Sequence, residues 1–103
     1  MKTSCNRKLF AKRFRETRAV RGKVHVTFRP LYDHLISLAR NDLKYDHCQS
    51  AGQMLSKAKK LVGKHAWAAE PTEEKKWLKE TREHAKPMQK KRIDARLREL
   101  SRQ

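Results

Sequence analysis

The chain has 103 residues, with 27 lysines and arginines against 11 aspartates and glutamates, a formal charge of +16. That length holds one small domain, and Leu, Ile, Val and Phe together make under a fifth of it, a share near the border of intrinsic disorder. These values argue against a large buried catalytic cavity. A membrane span is excluded because no run nears the roughly 20 apolar residues one needs, and two cysteines, Cys5 and Cys48, cannot build a disulfide scaffold.

Gly and Pro are scarce while Ala and Leu dominate the apolar residues, a mix that favours helix over sheet. The expected class is all-α: a small helical hairpin core with a basic N-terminal arm and a C-terminal helical extension. The charge divides unevenly among residues 1–29, 30–70 and 71–103, at +9, +2 and +5. The nearly balanced centre is where a core can form with little self-repulsion.

In chain order, Ser4 is placed to cap a first helix running to about Ala19. Phe10 and Phe14 share one of its faces, and arginines and lysines cover most of the rest. A helix charged almost all round is marginal when isolated, and Gly22 punctuates its end. Val24, Val26 and Phe28 then alternate with His25, Thr27 and Arg29, a period of two that predicts an extended segment. No second strand is evident, so it is expected to lie along a core, another protein or RNA.

Pro30 suits the first turn of a second helix, in which Leu31, Leu35 and Leu38 form a stripe widened by Ile36 and Ala39, ending near Tyr45. A third helix is expected to start at Asp46 or Ser50. It carries Ala51, Met54, Leu55, Ala58, Leu61 and Val62 inward, and Gly63 stops it. These two helices make the αα-hairpin of the predicted core. Residues 66–69, with Trp67, are placed to close it. Thr72 reads as the cap of a further helix with Glu73 and Glu74 in its first turn. That helix carries Trp77, Leu78 and Thr81 until Pro87 interrupts it. The last stripe, Ile93, Leu97 and Leu100, is thin and suits a helix laid against something else.

Chemistry-bearing constellations are weak. The histidines and cysteines lack the paired CxxC or HxxxH spacing of a structural zinc site, so no metal is expected. Cys48 reads as a small core residue and Cys5 as a free thiol near a frayed terminus. Glu80 with His84, and Glu99 with Arg96 or Arg102, read as solvated surface pairs. No glycine-rich loop is present to cradle a nucleotide. No enzyme, cofactor or small-molecule substrate is expected.

The basic distribution carries the signal. Arg7, Lys8, Lys12, Arg13, Arg15, Arg18, Arg21 and Lys23 lie within seventeen residues, followed by Arg29. Cations placed on phosphates release condensed counterions, and affinity of that origin needs little buried core. Lys57, Lys60 and Lys64, and Lys90, Lys91 and Arg92 further on, extend the candidate set. Phe10 and Phe14 are candidates for stacking on unpaired bases, although aromatics at helical spacing are more often core.

The sequence therefore points to a small RNA-binding structural protein of a large ribonucleoprotein. A ribosomal or mitochondrial ribosomal subunit protein on structured rRNA is the foremost expectation, which implies the cytoplasm or the mitochondrion. Neighbouring proteins of the assembly would be met through the C-terminal helix. One alternative is a DNA-binding or transcription-associated regulator using the hairpin as a helix-turn-helix. Another is an accessory subunit of a protein assembly whose arm meets acidic protein or lipid. An Arg-rich, acid-poor N-terminus also suits a mitochondrial transit peptide, but an arm held by a binding partner is the preferred account.

Overall fold

A computed structural model describes residues 5–63 and 70–102. Lys64 and the predicted closing segment 66–69 lie outside the described residues, as does Ser4. Among the described residues there are five α-helices: α1 (Arg7–Val20), α2 (Arg29–Lys44), α3 (Cys48–Lys59), α4 (Pro71–Arg82) and α5 (Pro87–Ser101). The class is all-α. Among the described residues there is no strand, only an isolated antiparallel bridge between Val24 and Val62.

The α2–α3 hairpin forms where the apolar spacing put it. Leu31, Tyr32, Leu35 and Ala39 are buried on α2, and Ala51, Leu55 and Ala58 on α3. The three alanines are 0% exposed, and their small side chains let the two helices approach closely. α3 starts at Cys48 rather than at Asp46 or Ser50. Asp46 sits at φ 58° in the turn, a left-handed conformation that Asp tolerates better than most residues. The Ser50 hydroxyl donates to Asp42 Oδ2 at 2.7 Å, reaching back to α2 instead of capping its own helix. At the other end α3 stops at Lys59, so Leu61 and Val62 follow the helix. Gly63 takes φ 83° and donates its N–H to the Lys23 carbonyl at 2.9 Å.

The segment predicted as extended is instead two 3-10 turns, Arg21–Lys23 and Val26–Phe28. A period-two pattern needs a neighbouring strand, and here only one residue finds a bridge partner. The backbone therefore closes its hydrogen bonds locally. Val24 N–H donates to Arg21 O at 3.0 Å and Phe28 N–H to His25 O at 2.9 Å, while Arg29 Nε donates to Val24 O at 3.1 Å. Val24 and Phe28 turn inward and Val26 is left 42% exposed.

α4 begins two residues earlier than read. Glu70 is its N-cap and Pro71 its first residue, because Pro lacks only an N–H that a helix start leaves unpaired anyway. Thr72 is not the cap. Pro87 begins α5 in the same way. The main core joins Val24, Phe28, Leu31, Tyr32 and Leu35 to Leu61, Leu78, Ile93 and Leu100. The Ile93–Leu97–Leu100 stripe is thus covered by the chain's own helices, and Phe28 meets Trp77 edge to face at 6.2 Å.

A second, smaller cluster gathers Cys5, Phe10, Ala39, Ala51 and Leu55 at the α1 side of the hairpin. Two clusters set along the hairpin give an elongated body of 54 × 23 × 21 Å. Here α1 is capped by Asn6, whose Oδ1 accepts from the Leu9 N–H at 3.2 Å.

Candidate nucleic-acid interface

α1 is held by one face. Phe10 is its buried residue, and Phe14 beside it is half-buried under the Arg40 guanidinium, 5.2 Å from the ring centroid. Burial of Phe10 at 8% exposure leaves it no face for a base. The Tyr32 hydroxyl donates to the Thr17 carbonyl at 2.7 Å. Arg21 grips both carboxylate oxygens of Asp33, at 2.8 and 2.7 Å, and that hydrogen bond holds its pKa above the usual guanidinium value.

By helical geometry, with 100° per residue, Lys8, Lys12 and Arg15 fall opposite the Phe10–Phe14 face, and all three are exposed. Arg18 is exposed as well. Arg7 stands 3.9 Å from Asp46, both side chains open to solvent, which is worth little. Lys8, Lys12, Arg13, Arg15, Arg18 and Lys23 have no carboxylate partner among the described residues. Arg29, by contrast, is folded into the turn, donating to the Val24 and Gly22 carbonyls.

Arg13 leaves the outer face and reaches α3, where its guanidinium lies 3.7 Å from the point a Cβ on Gly52 would occupy. There it enters an open groove of about 1380 Å³ between α1, α3 and α4. The floor is the outer face of α3, with Gln49, Gln53, Ser56, Lys57 and Lys60. The α4 wall brings Glu73, Lys76, Trp77 and Glu80, and Lys59 and Val62 close the end. Five cations thus face two carboxylates across one groove. Lys57 is the cation with an ion pair, its Nζ 3.3 Å from Glu80 Oε2. That oxygen is buried and accepts no hydrogen bond among the described residues, which leaves the Lys57 charge as its partner there.

The groove brings together Arg13, Lys57 and Lys60 from the predicted set and adds Lys59, Lys76 and Trp77. Lys76 sits with Trp77 on a helix read for its apolar stripe, and only the packing of α4 on α2 and on the Val26–Phe28 turn brings that pair to the same groove as Lys57 and Lys60. Lys90, Lys91 and Arg92 lie on α5, outside the groove.

Elsewhere several acids are committed to structure. Glu74, 2% exposed, receives Arg96 Nε at 2.8 Å and Nη2 at 3.3 Å. Arg96 also reaches Glu99 at 3.1 Å, as the helical spacing suggested, but the Glu74 contact makes this a partly buried network and not a solvated pair. Its pKa is raised, chiefly by the Glu74 hydrogen bond. Arg82 pairs with Asp94 at 2.8 Å. Glu80 turns to Lys57 and not to His84; His84 stacks on His34 with ring centroids 3.6 Å apart. Burial, then the neighbouring His84, pushes the His34 pKa down.

The cysteines depart from both expectations. Cys5 is neither free nor frayed, and Cys48 is more than a packing residue: the two form a disulfide, with Cα atoms 5.5 Å apart. Their sequence separation of 43 residues hides the pairing, and the signal available beforehand was only that the chain has just two cysteines. Among the described residues, no group of three or more His, Cys, Asp or Glu side chains is placed to hold a metal ion, and no helix is long and apolar enough to cross a membrane. No protein-family model matches the chain, and neither the curated proteins nor the solved structures give a match.

Proposed function

We propose that this protein is a structural RNA-binding component of a large ribonucleoprotein, most in keeping with a ribosomal or mitochondrial ribosomal subunit protein. The observation that carries the reading is the convergence of Arg13, Lys57, Lys59, Lys60 and Lys76 from three helices on one open groove. α1 adds Lys8, Lys12, Arg15 and Arg18, exposed and without a carboxylate partner among the described residues. Unpaired like charges repel one another unless a polyanion neutralises them, and phosphates do so with release of counterions. Arg adds a planar fork suited to bidentate phosphate contact.

The same geometry weighs against the helix-turn-helix alternative. A recognition helix must protrude to enter a major groove. The outer face of α3 instead floors a groove walled by Arg13 and by Lys76 and Trp77. Such a concave basic surface suits a strand or helix edge of RNA entering it, with shape-led and weakly sequence-specific recognition. Basic surface outside the groove, on α1 and at Lys90, Lys91 and Arg92, supplies further phosphate contacts.

The test is the salt dependence of binding to structured RNA, in competition with duplex DNA at matched salt. With six or more phosphate contacts, affinity falls about a thousandfold between 50 and 200 mM salt. Changing Arg13, Lys59, Lys60 and Lys76 together to Gln lowers the slope of log K against log salt by about 0.7 to 0.9 per lost contact. Changing Lys90, Lys91 and Arg92 to Gln lowers it less. A salt-insensitive interaction, or a clear preference for duplex DNA, overturns the reading.

A further inference from the structure

We infer that Cys5–Cys48 is a site of thiol–disulfide exchange that latches the cationic helix α1 onto the hairpin. The latch itself is independent of RNA binding; only its consequence for affinity rests on the function proposed above. The bond joins a residue just ahead of α1 to the first residue of α3. The firm polar attachments of α1 lie at its far end, at Thr17–Tyr32 and Arg21–Asp33. Its near end has the disulfide, Phe10 and the long Arg7–Asp46 contact. A 14-residue helix of this length and charge does not hold its own shape in water, so the covalent tie at the near end keeps it folded and docked.

The placement also makes the bond exchangeable. Cys48 opens a helix, where the N-terminal dipole favours a thiolate. Cys5 lies close in sequence to Arg7 and Lys8, which favour one too. Thiols of that kind are good leaving groups. Cys48 is half-buried while Cys5 is 7% exposed, so an incoming thiolate from a dithiol reductant attacks the Cys48 sulfur and expels the Cys5 thiolate. The second thiol of the reductant then attacks the mixed disulfide and frees Cys48. The reductant leaves as its disulfide, and two electrons and two protons end on Cys5 and Cys48. A disulfide oxidant reverses the sequence.

The experiment uses the full chain. The oxidised protein is incubated with dithiothreitol without denaturant, thiols are counted by alkylation and mass spectrometry, and amide exchange is followed along the chain. The expected result is two thiols per chain, with exchange across residues 7–15 faster by about tenfold or more while α2 and α3 stay protected. A Cys5→Ser, Cys48→Ser double variant should show the same loosened α1; if it does not fold, reduction of the unaltered chain still decides. Thiols that appear only in denaturant, or an α1 equally protected when reduced, overturn the inference. Affinity for structured RNA, measured on both forms, is expected to fall on the order of tenfold on reduction, because α1 must then be ordered on binding. A loosened α1 in a protein that binds RNA in neither form sinks the RNA reading and leaves the latch standing.

Discussion

α1 and α5 look alike as sequence. Each is a helix of similar length with a thin apolar stripe among lysines and arginines. The structure anchors them by different means. α5 commits part of its charge: Arg96 closes on buried Glu74, Asp94 holds Arg82, and Ile93 and Leu100 enter the main core, while Lys90, Lys91 and Arg92 have no carboxylate partner among the described residues. α1 spends almost none of its charges on the fold and is tied down by Phe10, a disulfide at its near end, and the Tyr32 hydroxyl and the Arg21–Asp33 pair at its far end. A cationic helix can therefore be structural or available, and what distinguishes the two is whether acids from elsewhere in the chain reach it.

The sharpest way to break this comparison is Arg96→Ala. It leaves the Glu74 carboxylate buried without its partner, which should cost about 3 kcal/mol, read as a lowered midpoint in urea unfolding. A change near zero would mean that α5 is no better anchored than α1. Acidification probes the seam that joins the C-terminal pair to α2. The His34 pKa is lowered in the folded state by burial and by His84, and that of His25 by burial and by Arg29. The unfolded chain therefore binds more protons just below the ordinary value of 6.5, and stability is lost as the pH falls from there through the folded pKa values. A thermal midpoint flat between pH 7 and pH 5 would contradict this. The smallest effect is expected on α1: Arg15→Ala should change stability by no more than about 0.5 kcal/mol, because its side chain is exposed and has no carboxylate partner among the described residues. A larger loss would show that α1 charge is committed to the fold after all.

The α2–α3 hairpin was legible because spacing of three and four residues puts Leu31, Leu35, Ala39, Ala51, Leu55 and Ala58 on facing stripes, and that periodicity is local. The charge of α1 was legible for the same reason. The segment around Val24–Phe28 misled, since alternation describes side chains and not whether a partner strand exists. Glu74 misled too: its place in a first turn explains its sign, but only the approach of α5 explains its burial.

Composition and periodicity by themselves determined that the chain is helical, that it has a hairpin at its centre and that its N-terminal helix is rich in uncompensated positive charge. Tertiary structure alone decided that Cys5 meets Cys48, that Arg96 meets Glu74 across 22 residues, and that Lys76 and Trp77 face Arg13 and Lys60 over one groove. Each of those depends on which helix faces packed together, and that follows from the summed burial of the whole apolar set; no single stretch of residues encodes it.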